Sequence, residues 1–304
     1  MRIIALTDWQ QLLSSDAADW LTNLPLQLRG PLRSKVRQLI ADDHRGFKLC
    51  LAGQLMMGTD LPSPSSQLLR QLHLIYLLAW LAYGIYDDIN DQEAKSKSLP
   101  LANYVLLCLL QLSKQLKLQQ DYQPVLIAHL QTMELANYQE MHLSIGRNYS
   151  TDLLWSRASG QLFAAEALAD YWKFSLENKN SLIDLLKQLL SILQIQDDLR
   201  DWEADFSARR MTYVDQVLFQ QHINHKSSKP YFYSLVLPGL LDELSQRIEA
   251  AQNLLLQLPQ FAVEGGFFNL ILSSCAKILS NDQAQSFVLQ HQYPYKQSLQ
   301  ATVG

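Results

Sequence analysis

Two short acidic segments carry the side chains of this chain that are best suited to chemistry. The segment 87–93 (DDINDQE) holds four acids in seven residues, and the segment 197–205 (DDLRDWEAD) holds five in nine, out of 29 acids in the chain. Side chains four apart lie on one face of a helix. The acids that share a face are Asp87 and Asp91, beside Asp88, and in the second segment Asp197, Asp201 and Asp205.

This spacing predicts a bound cation. Carboxylates four apart on a helix repel one another by about 0.2–0.5 kcal/mol per pair, and by more where water is excluded. Carboxylates without neighbouring thiols or imidazoles suit a hard, oxygen-preferring ion, so Mg²⁺ is predicted before Zn²⁺. The glycine and final glutamate of a calcium loop are missing, as are the Glu-x-x-His pairs of a di-iron site. A solvated acidic helix end is the alternative for either segment alone.

Two aspartate-rich helix ends that face each other across a bundle, with Mg²⁺ between them, would bind a diphosphate. The metal would neutralise the carboxylates and the diphosphate together and stabilise departing pyrophosphate. Apolar helix walls would hold a hydrocarbon chain and keep water away from a carbocation.

The elements that must position these acids are predicted to be helices. The chain has 304 residues with 60 Leu but only 9 Val, 11 Gly and 10 Pro, whereas β-sheet folds need β-branched residues and many turn residues. The sequence therefore predicts one all-α domain over 1–304. The predicted helices are 8–22, 31–57, 67–91, 101–119, 123–145, 151–176, 181–205, 212–222, 231–258 and 262–281.

Composition excludes several classes of protein. A net charge of −4 gives no basic field for nucleic acid. Cys50, Cys108 and Cys275 have no metal-ligand spacing and are interpreted as buried thiols of a reducing cytoplasm. The N-terminus does not read as a secretory signal. The longest uncharged apolar run, 74–86, is 13 residues, whereas a membrane span needs roughly 20. We therefore expect a cytoplasmic protein without a transmembrane segment, and leave a homodimer open.

Four segments resemble known enzymes. LRQLHLIYLLAWLAYGIYDDIND (69–91) is similar to the helix with the first DDxxD motif of trans-prenyl diphosphate synthases, and LLSILQIQDDLRDWEAD (189–205) to their second aspartate-rich helix. The latter also resembles squalene and phytoene synthases, whose Q-x-x-N-x-L-R-D-x-x-x-D pattern has Asp197 here in place of Asn. ARRMTYVDQVL (208–218) and NYQEMHLS (137–144) are similar to further segments of the elongating enzymes. Over about 67–220 the chain thus resembles the class I isoprenoid synthase superfamily, which implies a helical bundle around a central apolar cavity.

The resemblance implies roles for individual residues. The predicted metal ligands are Asp87, Asp88, Asp91, Asp197, Asp198, Asp201 and Asp205; of these, Asp87, Asp88, Asp91, Asp197 and Asp201 are also predicted to be catalytic. The predicted diphosphate-binding residues are Arg157, Arg200, Arg209, Arg210 and Gln194. The predicted substrate pocket comprises Tyr83, Ala79, Gln139, Ser159 and Phe163. Two of these expectations also have physical reasons: Arg157 is costly to bury without an anion, and Tyr83 lies one turn before Asp87 on the same face.

Departures from the family pattern favour one branch of it. The Arg-Arg-Gly that follows the first motif of elongating enzymes is replaced by DQEAKSKS, and their Lys-Thr-Gly-x-Leu by Ala158-Ser159-Gly160-Gln161-Leu162. Those basic groups bind isopentenyl diphosphate. We therefore expect a Mg²⁺-dependent class I terpene synthase that ionises an allylic prenyl diphosphate, releases pyrophosphate and cyclises or quenches the cation. The alternatives are a chain-elongating or head-to-head prenyltransferase, and a non-enzymatic helical protein with decayed acidic patches.

Overall fold

Helices form nearly all of the regular structure. The computed structural model describes residues 6–43, 47–57, 59–90, 96–116, 121–142, 149–208, 212–214 and 232–279. These residues are 80 % helical and include no strand, which confirms the predicted all-α class. The α-helices of the described ranges are α1 Leu6–Thr22, α2 Leu26–Asp42, α3 Leu51–Gln54, α4 Ser66–Asn90, α5 Leu99–Ser113, α6 Gln123–Met141, α7 Leu153–Ser156, α8 Leu162–Tyr171, α9 Leu176–Ala208, α10 Leu237–Leu256 and α11 Phe267–Leu279.

The helix predicted over 31–57 was wrong across its middle. α2 ends at Asp42 and α3 begins at Leu51. The cause is Asp43, whose buried carboxylate accepts hydrogen bonds from the backbone N–H groups of Lys48 (3.1 Å) and Leu49 (2.8 Å). An aspartate that bonds nearby backbone in this way competes with a continuous helix.

The helix predicted over 151–176 is likewise interrupted. α7 is followed by a 3₁₀ turn, Ser159–Gln161, and α8 ends at Tyr171. Lys173 has a left-handed backbone conformation, with φ of 55°, and the N–H of Phe174 reaches back to the carbonyl of Ala169 at 2.9 Å. These are the features of a Schellman cap, which usually has glycine at the left-handed position. Because this position is a lysine, the usual glycine signal for a helix end is missing from the sequence at the end of α8.

The chain divides into two compact units. The first comprises Met1–Leu130, Gly160–Lys179 and Val263–Phe267, and the second comprises Gln131–Ser159, Asn180–Ala262 and Phe268–Gly304. The prediction of a single domain around one cavity stays a prediction.

In the first unit, α4 is the central helix and packs against α1, α2, α3 and α5. Its Leu72, Ile75, Leu77 and Leu78 are completely buried. The Tyr76 hydroxyl donates to the carbonyl of Gln161 (2.6 Å) and accepts from the N–H of Ala164 (3.0 Å). Because α4 is held on several sides, its C-terminal end, which carries Asp87 and Asp88, is placed by the core of this unit.

In the second unit, α9 and α10 carry the residues that matter for the site. A π-helical turn, Phe232–Val236, leads directly into α10. The rings of Trp202 on α9 and Phe232 stack at a centroid distance of 4.0 Å, within a buried cluster that also includes Phe206 and Val214. This cluster holds the last turns of α9, where the second acidic segment lies.

One helix among the described residues is long and apolar enough to cross a membrane. It is Ser66–Tyr86, and 61 % of its most apolar window is buried inside the protein. Core helices meet the same criteria of length and composition. No clear transmembrane segment is therefore indicated within the described ranges.

Candidate functional site

The C-terminal end of α4 carries one described carboxylate of the first acidic segment. Asp88 forms an ion pair with Lys35 of α2. The side chain of Asp87 and all of Asp91 lie outside the described residues. One and two turns further back, Tyr83 and Trp80 meet edge to face at 5.6 Å, and the ammonium of Lys48 lies 5.0 Å from the Trp80 ring.

Two aspartates of the second acidic segment are exposed to solvent. The side chains of Asp197 and Asp201 are 56 % and 57 % exposed, one turn apart on α9. Arg200 forms an ion pair with Asp197, and its Nε lies 3.8 Å from Asp201 Oδ1. Asp205 is half-buried. Arg200 partly neutralises these acids without burying them. Exposed ion pairs of this kind contribute little to folding stability.

Asp198 differs from its neighbours because it points inward and is only 4 % exposed. Its Oδ1 accepts a hydrogen bond from Gln194 Nε2 at 2.7 Å, and its Oδ2 accepts one from the backbone N–H of Tyr213 at 3.2 Å. Burial raises the pKa of Asp198 to about 6, against the lowering effects of the Gln194 hydrogen bond and the Arg157 charge. The structure therefore brings the predicted residues Gln194 and Asp198 together.

Arg157 has an anionic partner within the chain. Its Nη1 donates to Glu140 Oε1 at 2.8 Å, and its Nε lies 2.7 Å from Glu140 Oε2, a distance typical of an ion pair although this second contact is not aligned as a hydrogen bond. The Tyr149 hydroxyl also donates to Glu140 Oε1, at 3.0 Å. Burial and then the charge of Glu140 raise the pKa of Tyr149 well above its usual range. The burial of Arg157 is thus accounted for without a bound diphosphate.

A second set of polar contacts holds the side chain of Tyr213. Its hydroxyl donates to Glu243 Oε2 at 2.6 Å, and Glu243 Oε1 accepts from Arg247 Nε (2.9 Å) and Nη2 (2.8 Å). The rings of Tyr213 and Tyr149 meet at a tilt, with centroids 5.5 Å apart. Burial, followed by the bond to Glu243, raises the pKa of Tyr213.

The predicted pocket residues have different environments. Gln139 is exposed, Tyr83 and Ala79 are half-buried, and Ser159 and Phe163 are completely buried. Phe163 packs edge to face against Tyr122, with centroids 6.3 Å apart. That these side chains line a substrate pocket stays a prediction. The predicted diphosphate ligands Arg209 and Arg210 lie outside the described residues.

The exposed acids of α9 have the donor chemistry that Mg²⁺ prefers. The part of the chain that the structure describes contains no group of three His, Cys, Asp or Glu residues placed to hold an ion. A Mg²⁺ ion, however, commonly keeps several waters and takes only one or two protein carboxylates together with phosphate oxygens of the substrate. The carboxylates of Asp197 and Asp201, one turn apart and accessible, fit that mode of binding.

Several residues of these networks are absent from the sequence prediction. Glu243 and Arg247 could have been found as an oppositely charged pair four residues apart on a predicted helix. Glu140 adjoins Gln139 in the segment that was singled out, but its pairing with Arg157 depends on tertiary structure. The inward position of Asp198 has a signal in the apolar residues Ile195 and Trp202 on either side of it along one face.

Comparisons with protein-family models, with curated proteins and with solved structures find no match to this chain. The resemblance to isoprenoid synthases therefore depends on the two acidic helices and the segments near them.

Proposed function

We propose that this protein is a Mg²⁺-dependent class I terpene synthase that acts on an allylic prenyl diphosphate. The reaction breaks the carbon–oxygen bond of the substrate and releases pyrophosphate. The allylic cation that is left either cyclises and loses a proton to give a hydrocarbon, or adds water and loses a proton to give an alcohol. The alternative is a prenyltransferase that couples the same cation to a second isoprenoid.

The observation that supports this function best is the different exposure of neighbouring aspartates on α9. Asp197 and Asp201 project outward with more than half of each side chain exposed, whereas Asp198, between them in sequence, is buried. A buried carboxylate must be compensated by hydrogen bonds, and both oxygens of Asp198 accept one. The exposed pair can bind a cation at little desolvation cost.

Residues of the chain have distinct parts in this reaction. Asp197 and Asp201 would be the Mg²⁺ ligands of α9, and the predicted ligands of the first acidic segment are Asp87, Asp88 and Asp91. Mg²⁺, when bound, neutralises charge that develops on the departing pyrophosphate. Arg200, which is 70 % exposed, can turn from Asp197 toward a diphosphate oxygen, for which its planar guanidinium is well shaped.

Lys35 also bears on the metal at α4. Its ammonium already forms an ion pair with Asp88. A metal ion at this carboxylate would share it with Lys35 or displace the ammonium from it.

Substitution of one aspartate in each acidic segment tests the assignment of these residues as metal ligands. Asp87→Ala and Asp201→Ala should each reduce turnover of C10, C15 or C20 allylic diphosphates by at least about a hundredfold, the scale of losing a principal electrostatic contact. Helix content by circular dichroism should be unchanged. The matched control is Asp184→Ala, which removes an exposed acid of α9 that is paired with Lys187 and should retain full turnover.

Wild-type turnover in the Asp87 or Asp201 variant would contradict the metal assignment. Efficient lengthening of the product when isopentenyl diphosphate is added would instead favour the prenyltransferase.

A further inference from the structure

Between Ile195 and Phe206, the buried face of α9 is apolar except where it carries Asp198. Ile195, Trp202 and Phe206, on the same face, are all at most 4 % exposed. A leucine at position 198 would make this buried face apolar throughout, so the carboxylate there needs a physical reason. A buried carboxylate is costly unless its oxygens are hydrogen-bonded, and both oxygens of Asp198 are.

The bond from Tyr213 links two parts of the chain that are 15 residues apart. Tyr213 and Val214 have helical backbone conformation and follow Thr212, which does not. The first N–H groups of a helical segment have no acceptor within it. Asp198 therefore supplies, from α9, an acceptor for the N–H of Tyr213.

Tyr213 is fastened at its other end as well. Its hydroxyl bonds to Glu243 of α10, and Glu243 is fixed by two donors of Arg247. Val214, the next residue, is completely buried in the cluster with Trp202. Tyr213, which donates its backbone N–H to Asp198, is thus itself held by α10. This hydrogen bond therefore fixes the end of α9 against the rest of this unit.

We propose that Asp198 is a positioning residue, whose contact with the backbone of Tyr213 sets the rotation of the end of α9 and so aims the carboxylates of Asp197 and Asp201. This inference rests on the proposed function, because Asp197 and Asp201 are taken as its metal ligands. It gives Asp198 a role through its neighbours instead of a place among the ligands.

Helix geometry gives the size of the effect. At 100° per residue, Asp197 and Asp201 lie about 100° and 60° round the helix from Asp198, on the same side. A carboxylate at the helix rim is about 5–6 Å from the axis, so a rotation of about 20° moves it by about 2 Å. A misplacement of about 1 Å in an active site can cost about a hundredfold in rate.

Two substitutions at 198 separate positioning from metal binding. Asp198→Asn keeps an oxygen that can accept the Tyr213 N–H, whereas Asp198→Leu fills the apolar face and accepts nothing. An amide oxygen is a much poorer Mg²⁺ ligand than a carboxylate. We expect Asp198→Asn to keep kcat within about fivefold of wild type, and Asp198→Leu to lower kcat about a hundredfold with KM within about threefold. Asp184→Leu, at an exposed acid of the same helix, is the control and should match wild type.

Amide hydrogen exchange tests the contact without relying on activity. In Asp198→Leu, the peptide that contains residues 212–214 should exchange at least about tenfold faster, since loss of a buried hydrogen bond weakens the local structure. In Asp184→Leu it should exchange as in wild type. Unchanged exchange in Asp198→Leu would overturn the positioning role even if turnover falls.

A hundredfold loss of kcat in Asp198→Asn, with wild-type exchange, would also overturn it and make Asp198 a metal ligand. If Asp198→Leu does not fold, the Asn variant alone decides between the two roles. If wild type shows no turnover, the proposed function fails, while the exchange result still decides whether Asp198 fixes Tyr213.

Discussion

The buried histidine of α4 makes the stability of this fold depend on pH. His73 is 1 % exposed, its Nε2 accepts the N–H of Gly53 at 3.0 Å, and Trp9 lies edge-on to the ring at 4.9 Å. Since Nε2 is an acceptor, the imidazole is neutral with its proton on Nδ1. Burial lowers the pKa of His73 to about 4 from 6.5, opposed only by the charge of Asp16.

The sign and the magnitude follow from proton linkage. Above the unfolded pKa of 6.5 both states carry a neutral ring, so the contribution of His73 is fully present. As pH falls toward 4 the unfolded chain takes up a proton that the folded chain does not, and stability is lost at about 1.4 kcal/mol per pH unit. At about pH 4.5 the accumulated loss is about 2.5 kcal/mol.

His73→Gln isolates this contribution, because glutamine can accept the Gly53 N–H but does not titrate. Urea unfolding of both proteins should be followed by circular dichroism between about pH 8 and pH 4.5. The free energy of unfolding of wild type minus that of the variant should fall by about 2.5 kcal/mol across this range. It should be constant above about pH 7.5, which serves as the internal control. Curves that stay parallel down to pH 4.5 would refute a buried neutral His73.

Two further substitutions test the core and the pocket. Tyr76→Phe removes a hydroxyl that bonds the carbonyl of Gln161 and the N–H of Ala164, so the free energy of unfolding should fall by about 2–4 kcal/mol in urea titrations; a loss under about 0.5 kcal/mol would contradict these bonds. Tyr83→Ala removes a half-buried ring one turn before Asp87 and should admit longer allylic diphosphates or change the products, as measured by mass spectrometry. An unchanged profile in the folded variant would mean that Tyr83 does not line the pocket.

The sequence predicts the helices of this fold better than it predicts their breaks. Leucine periodicity reports which faces are buried, and α4 and α6 begin within one residue of their predicted starts. The breaks at Asp43 and Lys173 depend on a carboxylate that caps nearby backbone and on a left-handed residue that is not glycine. Neither has a composition signal that distinguishes it from an ordinary surface residue.

The same limit applies to the candidate site. Asp197 and Asp198 are adjacent and chemically identical, so the motif predicts both as metal ligands, whereas the structure exposes one and buries the other. The apolar residues Ile195 and Trp202 on the face of Asp198 are the signal in the sequence that distinguishes the two. Arg157 was expected to need an anion and was assigned a diphosphate, whereas the anion that the structure places beside it is Glu140, 17 residues earlier. Which charges meet inside a helical unit is decided by the packing of whole helices, and local spacing does not report it.

The most direct test of the account is the release of pyrophosphate from an allylic diphosphate by the wild-type chain. C10, C15 and C20 substrates should be incubated with Mg²⁺, with excess EDTA in a parallel series, and the pyrophosphate and hydrocarbon products quantified together. We predict one pyrophosphate for each hydrocarbon or alcohol formed, and turnover that stops in EDTA and resumes when Mg²⁺ is restored. Release that is undiminished in EDTA, or no release from any of the three substrates, would contradict a Mg²⁺-dependent terpene synthase.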